Sequence, residues 1–269
     1  MKKRIYTSSY IVRMLALVLL AALLLVSCSA TASRENTATS EQGAGEDLPA
    51  SGRPSKRVAL TFDDGPHNTR TPAIVDELSK YGFHATFFVV GNRVDGTAYN
   101  GGDAMLYAIE AGNEIGIHGY THEVYYNKCT DMEYAEEMTG TKKAIRGEAE
   151  GYKISLMRPI GGAISQSRIE SCPYSVVLWD VDSEDWKYKY TSGDSDEDCR
   201  EKVDTIVNNV LEDVQDGSII LMHDIYESTL DAVVILLERL HEMGYDVVTV
   251  SELLGSDREA GRTYESANG

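Results

Sequence analysis

Residues 58–66 read Val-Ala-Leu-Thr-Phe-Asp-Asp-Gly-Pro, and this stretch decides how the rest of the chain is read. Val58, Leu60 and Phe62 alternate with Ala59 and Thr61 in an apolar, β-favouring run, which then stops at two carboxylates, a glycine and a proline. The run predicts a buried strand with Asp63 and Asp64 at its carboxyl end. In α/β domains ligands bind at that end of the strands, and neighbouring residues leave a strand on opposite sides, so the two acids suit different tasks. Taken alone, Asp-Asp-Gly-Pro is also simply a good turn: Asp bonds its own backbone, Gly supplies positive φ, and Pro presets the next residue.

Working outward, apolar runs alternate with amphipathic segments from Lys56 onward. Strand-like runs are Arg57–Phe62, Ala85–Val90, Glu114–His118, Ser155–Pro159, Ser175–Asp180, Ser218–His223 and Asp246–Val250. Helix-like segments begin at Thr71-Pro72 and run over Thr130–Ile145, Asp198–Asp213 and Ser228–Met243, the last ended by Gly244. Repeated βα units predict an α/β fold with right-handed crossovers, and seven parallel strands favour a distorted (β/α) barrel. Periodicity alone also fits a doubly wound sheet. There is no glycine-rich phosphate loop and no 20- to 50-residue repeat, so nucleotide chemistry is not expected.

The amino terminus has a different character. Lys2, Lys3, Arg4 and Arg13 precede an uncharged run from Met14 to Val26, the length of a signal-peptide core and short for a membrane span. It ends in Leu25-Val26-Ser27-Cys28, similar to the lipobox of bacterial lipoproteins, in which the cysteine becomes the lipidated first residue. The alternative is an uncleaved anchor; either places the domain outside the cell, and a diacylated Cys28 would hold it to the membrane. Residues 28–55 are then an anchored tether, too poor in large apolar side chains to order themselves.

The whole chain of 269 residues has a formal net charge of −18; without residues 1–27 it keeps 21 Lys and Arg against 43 Asp and Glu, a net −22. That balance argues against nucleic acid as a charge-driven partner, although solubility alone also accounts for it. Beyond Cys28 the cysteines are Cys129, Cys172 and Cys199, an odd number whose spacing fits no zinc ribbon and fixes no pairing.

A second apolar run ends in His118-Gly-Tyr-Thr-His122. Two imidazoles four apart share one side if the chain turns helically there. Zinc takes imidazole nitrogen and carboxylate oxygen, and two His with one carboxylate leave coordination positions open for water and substrate. Asp64 is the natural third ligand. A pair of histidines by itself is more often coincidence than a metal site.

Together these features resemble a polysaccharide deacetylase of carbohydrate esterase family 4, over roughly Lys56 to Leu254. TFDDGP matches that family's first motif, which implies Asp63 as catalytic base and Asp64 as metal ligand. His118 and His122 match the second, as metal ligands, but Gly119 stands where the family has Ser or Thr and so loses a supporting hydrogen bond. Arg158-Pro159-Ile160-Gly161-Gly162 is similar to the third motif, with its proline one residue after the arginine instead of two. It implies that Arg158 pairs with the base and that the turn at Gly161 shapes the groove. Asp182-Ser-Glu-Asp185-Trp186 resembles the fourth, with Asp185 orienting and charge-stabilising the acid histidine and Trp186 forming an apolar wall. Leu221-Met222-His223 fits the fifth, with Leu221 lining the acetyl pocket and His223 as general acid.

The resemblance implies a catalytic domain over residues 56–255, followed by a polar tail, 256–269. It also implies a monomeric, zinc-dependent N-deacetylase acting on a polysaccharide, with peptidoglycan N-acetylglucosamine or N-acetylmuramic acid first, from location, and chitin oligomers second. An O-acetyl esterase on xylan or wall polymer needs the same groups, and Gly119 with the shifted Pro159 leaves room for an impaired glycan binder. His67 is expected to flank the site mouth, His84 and His241 to be structural or solvated, and Lys187, Tyr188 and Tyr190 either to stack on sugar rings or to coat a loop.

Overall fold

The computed structural model describes residues 56–96 and 100–268. The expected signal peptide, Cys28 and the tether lie outside the described residues. No helix among the described residues is long and apolar enough to cross a membrane.

Nine strands form the sheet: β1 (Lys56–Asp63), β2 (Thr86–Val89), β3 (Glu114–Ile117), β4 (Leu156–Met157), β5 (Ser175–Val177), β6 (Val181–Asp182), β7 (Ile219–His223), β8 (Tyr245–Val247) and β9 (Thr263–Tyr264). The pairing path runs β6-β7-β1-β2-β3-β4-β5-β9, with β8 beside β1, and every paired strand is parallel to its neighbour. β1 lies inside the sheet and is buried on both faces from Val58 to Asp63, as a parallel strand covered by helices must be. Phe62 stacks on Phe87 of β2 with ring centroids 5.0 Å apart.

The architecture is the expected distorted α/β barrel, with two more strands than the seven read from the sequence. The run Ser175–Asp180 breaks after Val177. Asp180 turns its carboxylate to the Ile219 N–H at 2.7 Å and the Ser218 hydroxyl at 3.0 Å, so the chain changes partners and continues as β6 beside β7. Asp246–Val250, expected as strand, stops at Val247. Thr249 instead caps α8 (Val250–Leu254), its hydroxyl taking the Glu252 N–H while the Glu252 carboxylate takes the Thr249 N–H.

The segment 256–268, expected as a polar tail, is polar but carries β9. Val176 donates to the Arg262 carbonyl and Leu178 to the Tyr264 carbonyl, each at 2.8 Å. Ser266 then bridges antiparallel to Ser218, and Ala267 donates to the Gly217 carbonyl at 2.8 Å, so the carboxyl end spans from β5 to the foot of β7.

The remaining helices are α1 (Arg70–Ser79), α2 (Gly91–Val94), α3 (Gly102–Glu110), α4 (Asp131–Glu148), α5 (Gln166–Ser171), α6 (Asp196–Asp213) and α7 (Glu227–Glu242). Thr130 with Glu133 and Ser195 with Asp198 form capping boxes that start α4 and α6. α7 turns Ala232, Val233, Leu236, Leu237 and Leu240 into the core. Cys129, Cys172 and Cys199 are free thiols.

Candidate metal and catalytic site

Register places the chemistry. In the parallel ladder, Asp63 at the end of β1 is the register partner of His223 at the end of β7 and of Phe88 on β2, while Ile117, just before His118, pairs with Met157, just before Arg158. Three strand ends thus deliver Asp63, His118 and His223 to one cleft of about 440 Å³, and a fourth sets Arg158 behind it. It is lined by Asp63, Asp64, His118, His122, Gly161, Trp186, Leu221 and His223, all expected there, and by Tyr125, Ile160, Trp179, Asp182 and Tyr226, which were not. Trp179 lies between β5 and β6 and Asp182 ends β6, a break that the single apolar run Ser175–Asp180 does not reveal in the sequence.

The chain is bent hard at this cleft. Among the described residues three non-glycine residues have positive φ: Asp64 (73°), His122 (65°) and Glu184 (55°), the last immediately before Asp185. Such backbone costs of order 1–3 kcal/mol per residue and concentrates at functional sites. Gly65 follows Asp64, and a Cβ there would collide with the carboxylate of Asp224, so only glycine lets the turn close over that side chain. Asp224 is fully buried, accepts the Thr71 hydroxyl, and has its carboxyl pushed up to about 7 by burial.

Asp64, His118 and His122 converge, each offering one ligand atom, all within 4.8 Å of one another. His122 Nε2 lies 2.8 Å and His118 Nε2 3.4 Å from Asp64 Oδ1. That buried oxygen has no partner of hydrogen-bonding geometry. A nitrogen–nitrogen–oxygen set turned toward a common point, with an orphaned carboxylate oxygen, fits a divalent cation. His118 Nδ1 faces the Arg158 carbonyl at 2.9 Å, an acceptor only, so the ring proton sits on Nδ1 and Nε2 is left to ligate. Burial raises the Asp64 carboxyl, but the two imidazoles outweigh it and hold the group well below the usual carboxylate range. For His118 burial favours the neutral ring and the carboxylates of Asp63 and Asp64 override it, raising its pKa.

No helical turn runs between the two histidines. The chain bends instead, through Gly119 at φ 84° and His122 at φ 65°, because Glu137 of α4 captures the intervening backbone N–H groups. Gly119 has no room for a side chain: a Cβ would lie 2.8 Å from Tyr126 Oη and 3.0 Å from Glu137 Oε2.

Two ion pairs flank the ligand set. Arg158 lies behind the cleft with 0% exposure and donates to Asp63 Oδ1 at 2.9 Å, Thr61 Oγ1 at 2.7 Å, and the carbonyls of Val177 and Leu178 at 3.2 and 2.9 Å. Its guanidinium lies 4.4 Å from the Phe88 ring and 5.5 Å from that of Trp179. On the other side His223 Nδ1 donates to Asp185 Oδ1 at 2.7 Å, and Asp185 Oδ2 accepts the His223 N–H at 2.8 Å and the Thr229 hydroxyl at 2.6 Å. Burial opposes a charged His223, yet the bond to Asp185 and its charge prevail and push the imidazole up to about 9. Arg158 and Asp185 therefore reach the cleft only through Asp63 and His223.

Trp186 is 46% exposed and stands as a wall, with Lys187 Nζ 5.2 Å from its ring centroid, while Leu221 is 4% exposed on the cleft floor. Gly161, at φ 59°, lies in the turn Ile160–Gly162 after Pro159. His67 is not a lining residue; its ring is bound by Arg70 and by the backbone N–H groups of Thr69 and Arg70. His84 packs beside Gly112, and His241 sits against Tyr81 and Phe83, both away from the cleft. Tyr190 donates to Asp231 at 2.6 Å and Tyr188 packs on the core, so neither faces the cleft.

A profile of polysaccharide deacetylases matches residues 50–175. The peptidoglycan-N-acetylglucosamine deacetylase PgdA of Listeria monocytogenes is 34% identical over 210 residues, 78% of this chain and 41% of that protein. The peptidoglycan-N-acetylmuramic acid deacetylase PdaC of Bacillus subtilis is 37% identical over 198 residues, 74% of this chain and 38% of that one. This chain thus spans about two fifths of the length of these two relatives. Among solved structures, a deacetylase designated T48, determined with substrate, superimposes with a TM-score of 0.68 at 37% identity, covering 78% of this chain and 96% of that one.

Proposed function

The chain belongs to the polysaccharide deacetylase family of hydrolases, and on that premise we propose that it hydrolyses the acetamide of N-acetylated sugars in a cell-wall polysaccharide. Peptidoglycan N-acetylglucosamine or N-acetylmuramic acid comes first and chitin oligomers second; the Listeria and Bacillus relatives act on the former pair by name. The observation that carries the reading is the juxtaposition of three metal-ligand atoms with the pairs Asp63–Arg158 and His223–Asp185 on either side.

Asp64, His118 and His122 would hold the cation, zinc in this reading. When bound, such an ion polarises the acetyl carbonyl and brings the pKa of a water from ~15.7 toward about 7. Asp63, its Oδ1 fixed by Arg158, would take the proton of the attacking water through Oδ2. Gly161 would present its backbone N–H to the developing oxyanion, and Leu221 would pack on the acetyl methyl group. His223, kept charged by Asp185, would give its proton to the departing amine, and Trp186 would carry the sugar face. One carboxylate paired to a cation and one imidazole paired to a carboxylate let base and acid coexist at one pH.

The same reading places the domain outside the cytoplasm as a monomer, tethered through residues 28–55 to a lipid on Cys28. Labelling with a radioactive fatty acid, lost in Cys28→Ala, tests the anchor. Acetate release from purified peptidoglycan, chitin oligomers and acetylxylan, with and without chelator, tests the chemistry. Release from the N-acetylated polymers alone supports the proposal, release from acetylxylan alone supports an O-acetyl esterase, and release from none leaves a glycan binder.

A further inference from the structure

We propose that Glu137 is a positioning residue for His122, acting through the loop that carries it. The proposal rests on the reading that Asp64, His118 and His122 take a divalent cation.

The two histidines are held very differently. His118 follows directly from β3, is 2% exposed, and has its ring fixed by the Arg158 carbonyl. His122 lies four residues on, outside any helix or strand, with its side chain 39% exposed and its backbone at φ 65°. A ligand on such a loop costs ordering entropy each time a metal binds, unless the loop is ordered beforehand.

Glu137 supplies that order. It sits on the inward face of α4 at 4% exposure, where a carboxylate is retained only with good partners. Its partners all come from the loop. Oε2 accepts the N–H groups of Tyr120 at 2.6 Å and Thr121 at 3.0 Å, and Oε1 accepts the Thr121 hydroxyl at 2.7 Å. The Thr121 hydroxyl oxygen then accepts the N–H of Glu123 at 3.2 Å. The backbone before His122 is therefore tied to one buried carboxylate by charge-assisted bonds, which are about twice as strong as neutral ones, and the residue after it is tied to the same carboxylate indirectly, through the Thr121 hydroxyl.

Gly119 belongs to the same device. The space a side chain would occupy there is filled by Glu137 Oε2 and Tyr126 Oη, so no side chain fits at the position where the related motif carries a hydroxyl residue. In place of a hydrogen bond from position 119, Glu137 accepts three from the loop, from the Tyr120 N–H, the Thr121 N–H and the Thr121 hydroxyl.

The test is zinc titration of the metal-free full-length protein against a chromophoric chelator, with thermal unfolding of each metal-free variant alongside. Loss of an outer partner of a metal ligand typically weakens affinity about 10–100-fold, which is the loss expected for Glu137→Ala. Glu137→Gln keeps one acceptor oxygen and Thr121→Val keeps the shape, so each is expected to lose about three- to tenfold. Should Glu137→Ala not fold, these two carry the test. In a His122→Ala background the Glu137→Gln change is expected to cost nothing further, because its effect passes through that ring. Zinc affinity within twofold of wild type in both conservative variants would overturn the proposal. So would an equal loss with and without His122, which assigns Glu137 to general stability. Failure of the wild type to bind zinc overturns the metal reading itself, and this proposal with it.

Discussion

Asp63 and His223 are register partners at the carboxyl ends of two adjacent parallel strands, so a one-residue slip of β1 against β7 would separate the proposed base from the proposed acid. Behind each stands a buried partner of opposite charge, Arg158 for Asp63 and Asp185 for His223. The cleft between them is where the ligand atoms of Asp64, His118 and His122 converge.

The alkaline limb of the pH–rate profile follows from the pair at His223. Its imidazole is pushed up to about 9, so the proton needed for the leaving amine is in place below that pH and lost as pH rises through it. Asp185→Asn removes the charge that raises it and is expected to move the alkaline limb of kcat down toward the ordinary histidine value of about 6.5. The same pair stabilises the fold, fully below about 6.5 and progressively less as pH climbs to about 9. A profile of kcat unchanged in Asp185→Asn would remove His223 from the acid role.

The parts of this arrangement differ in how far they could be read in the sequence. Asp63, Asp64, His118, His122 and His223 each close an apolar run, so a local pattern marks them and the barrel gathers them. Glu137, Thr229 and Asp224 carry no such mark, because their roles arise from neighbours 16 to 153 residues away. Val247-Val248-Thr249-Val250 is β-branched throughout and predicts strand, yet the capping box of Thr249 with Glu252 outweighs that propensity. β9 is two polar residues long and exists only because β5 offers an edge.

Arg158 is expected to matter for stability as much as for rate. Removing one partner of a fully buried ion pair costs about 3–5 kcal/mol, since the other charge is left without compensation. Arg158→Ala also strips a donor from Thr61 and from two carbonyls. Urea unfolding at neutral pH is expected to show a loss of that size, and a midpoint equal to wild type would contradict the pairing.

Trp186 makes the opposite prediction. With 46% of its surface exposed it contributes little to the core, so Trp186→Ala is expected to unfold close to wild type. Loss of an aromatic platform worth about 0.5–1.5 kcal/mol should raise KM for oligosaccharides about three- to tenfold and leave kcat nearly unchanged. Steady-state kinetics on a defined oligomer separates the two constants.

The carboxyl-terminal segment is expected to be structural. Deleting residues 256–269 removes the backbone bonds from Val176, Leu178 and Ala267 and the bridge at Ser266, each bond worth about 0.5–1.5 kcal/mol. A fall of several kcal/mol in unfolding free energy, measured in urea, is the expected outcome.

The division of labour between the two adjacent aspartates is the centre of the account, and metal analysis alongside acetate release tests it most directly. Asp63→Asn protein, purified beside wild type and His118→Ala, is expected to retain zinc at the wild-type ratio while acetate release from N-acetylated peptidoglycan falls by at least about 10²–10⁴-fold. His118→Ala is expected to lose both. Zinc lost from Asp63→Asn as fully as from His118→Ala would contradict the assignment of Asp64 to the metal and Asp63 to the proton.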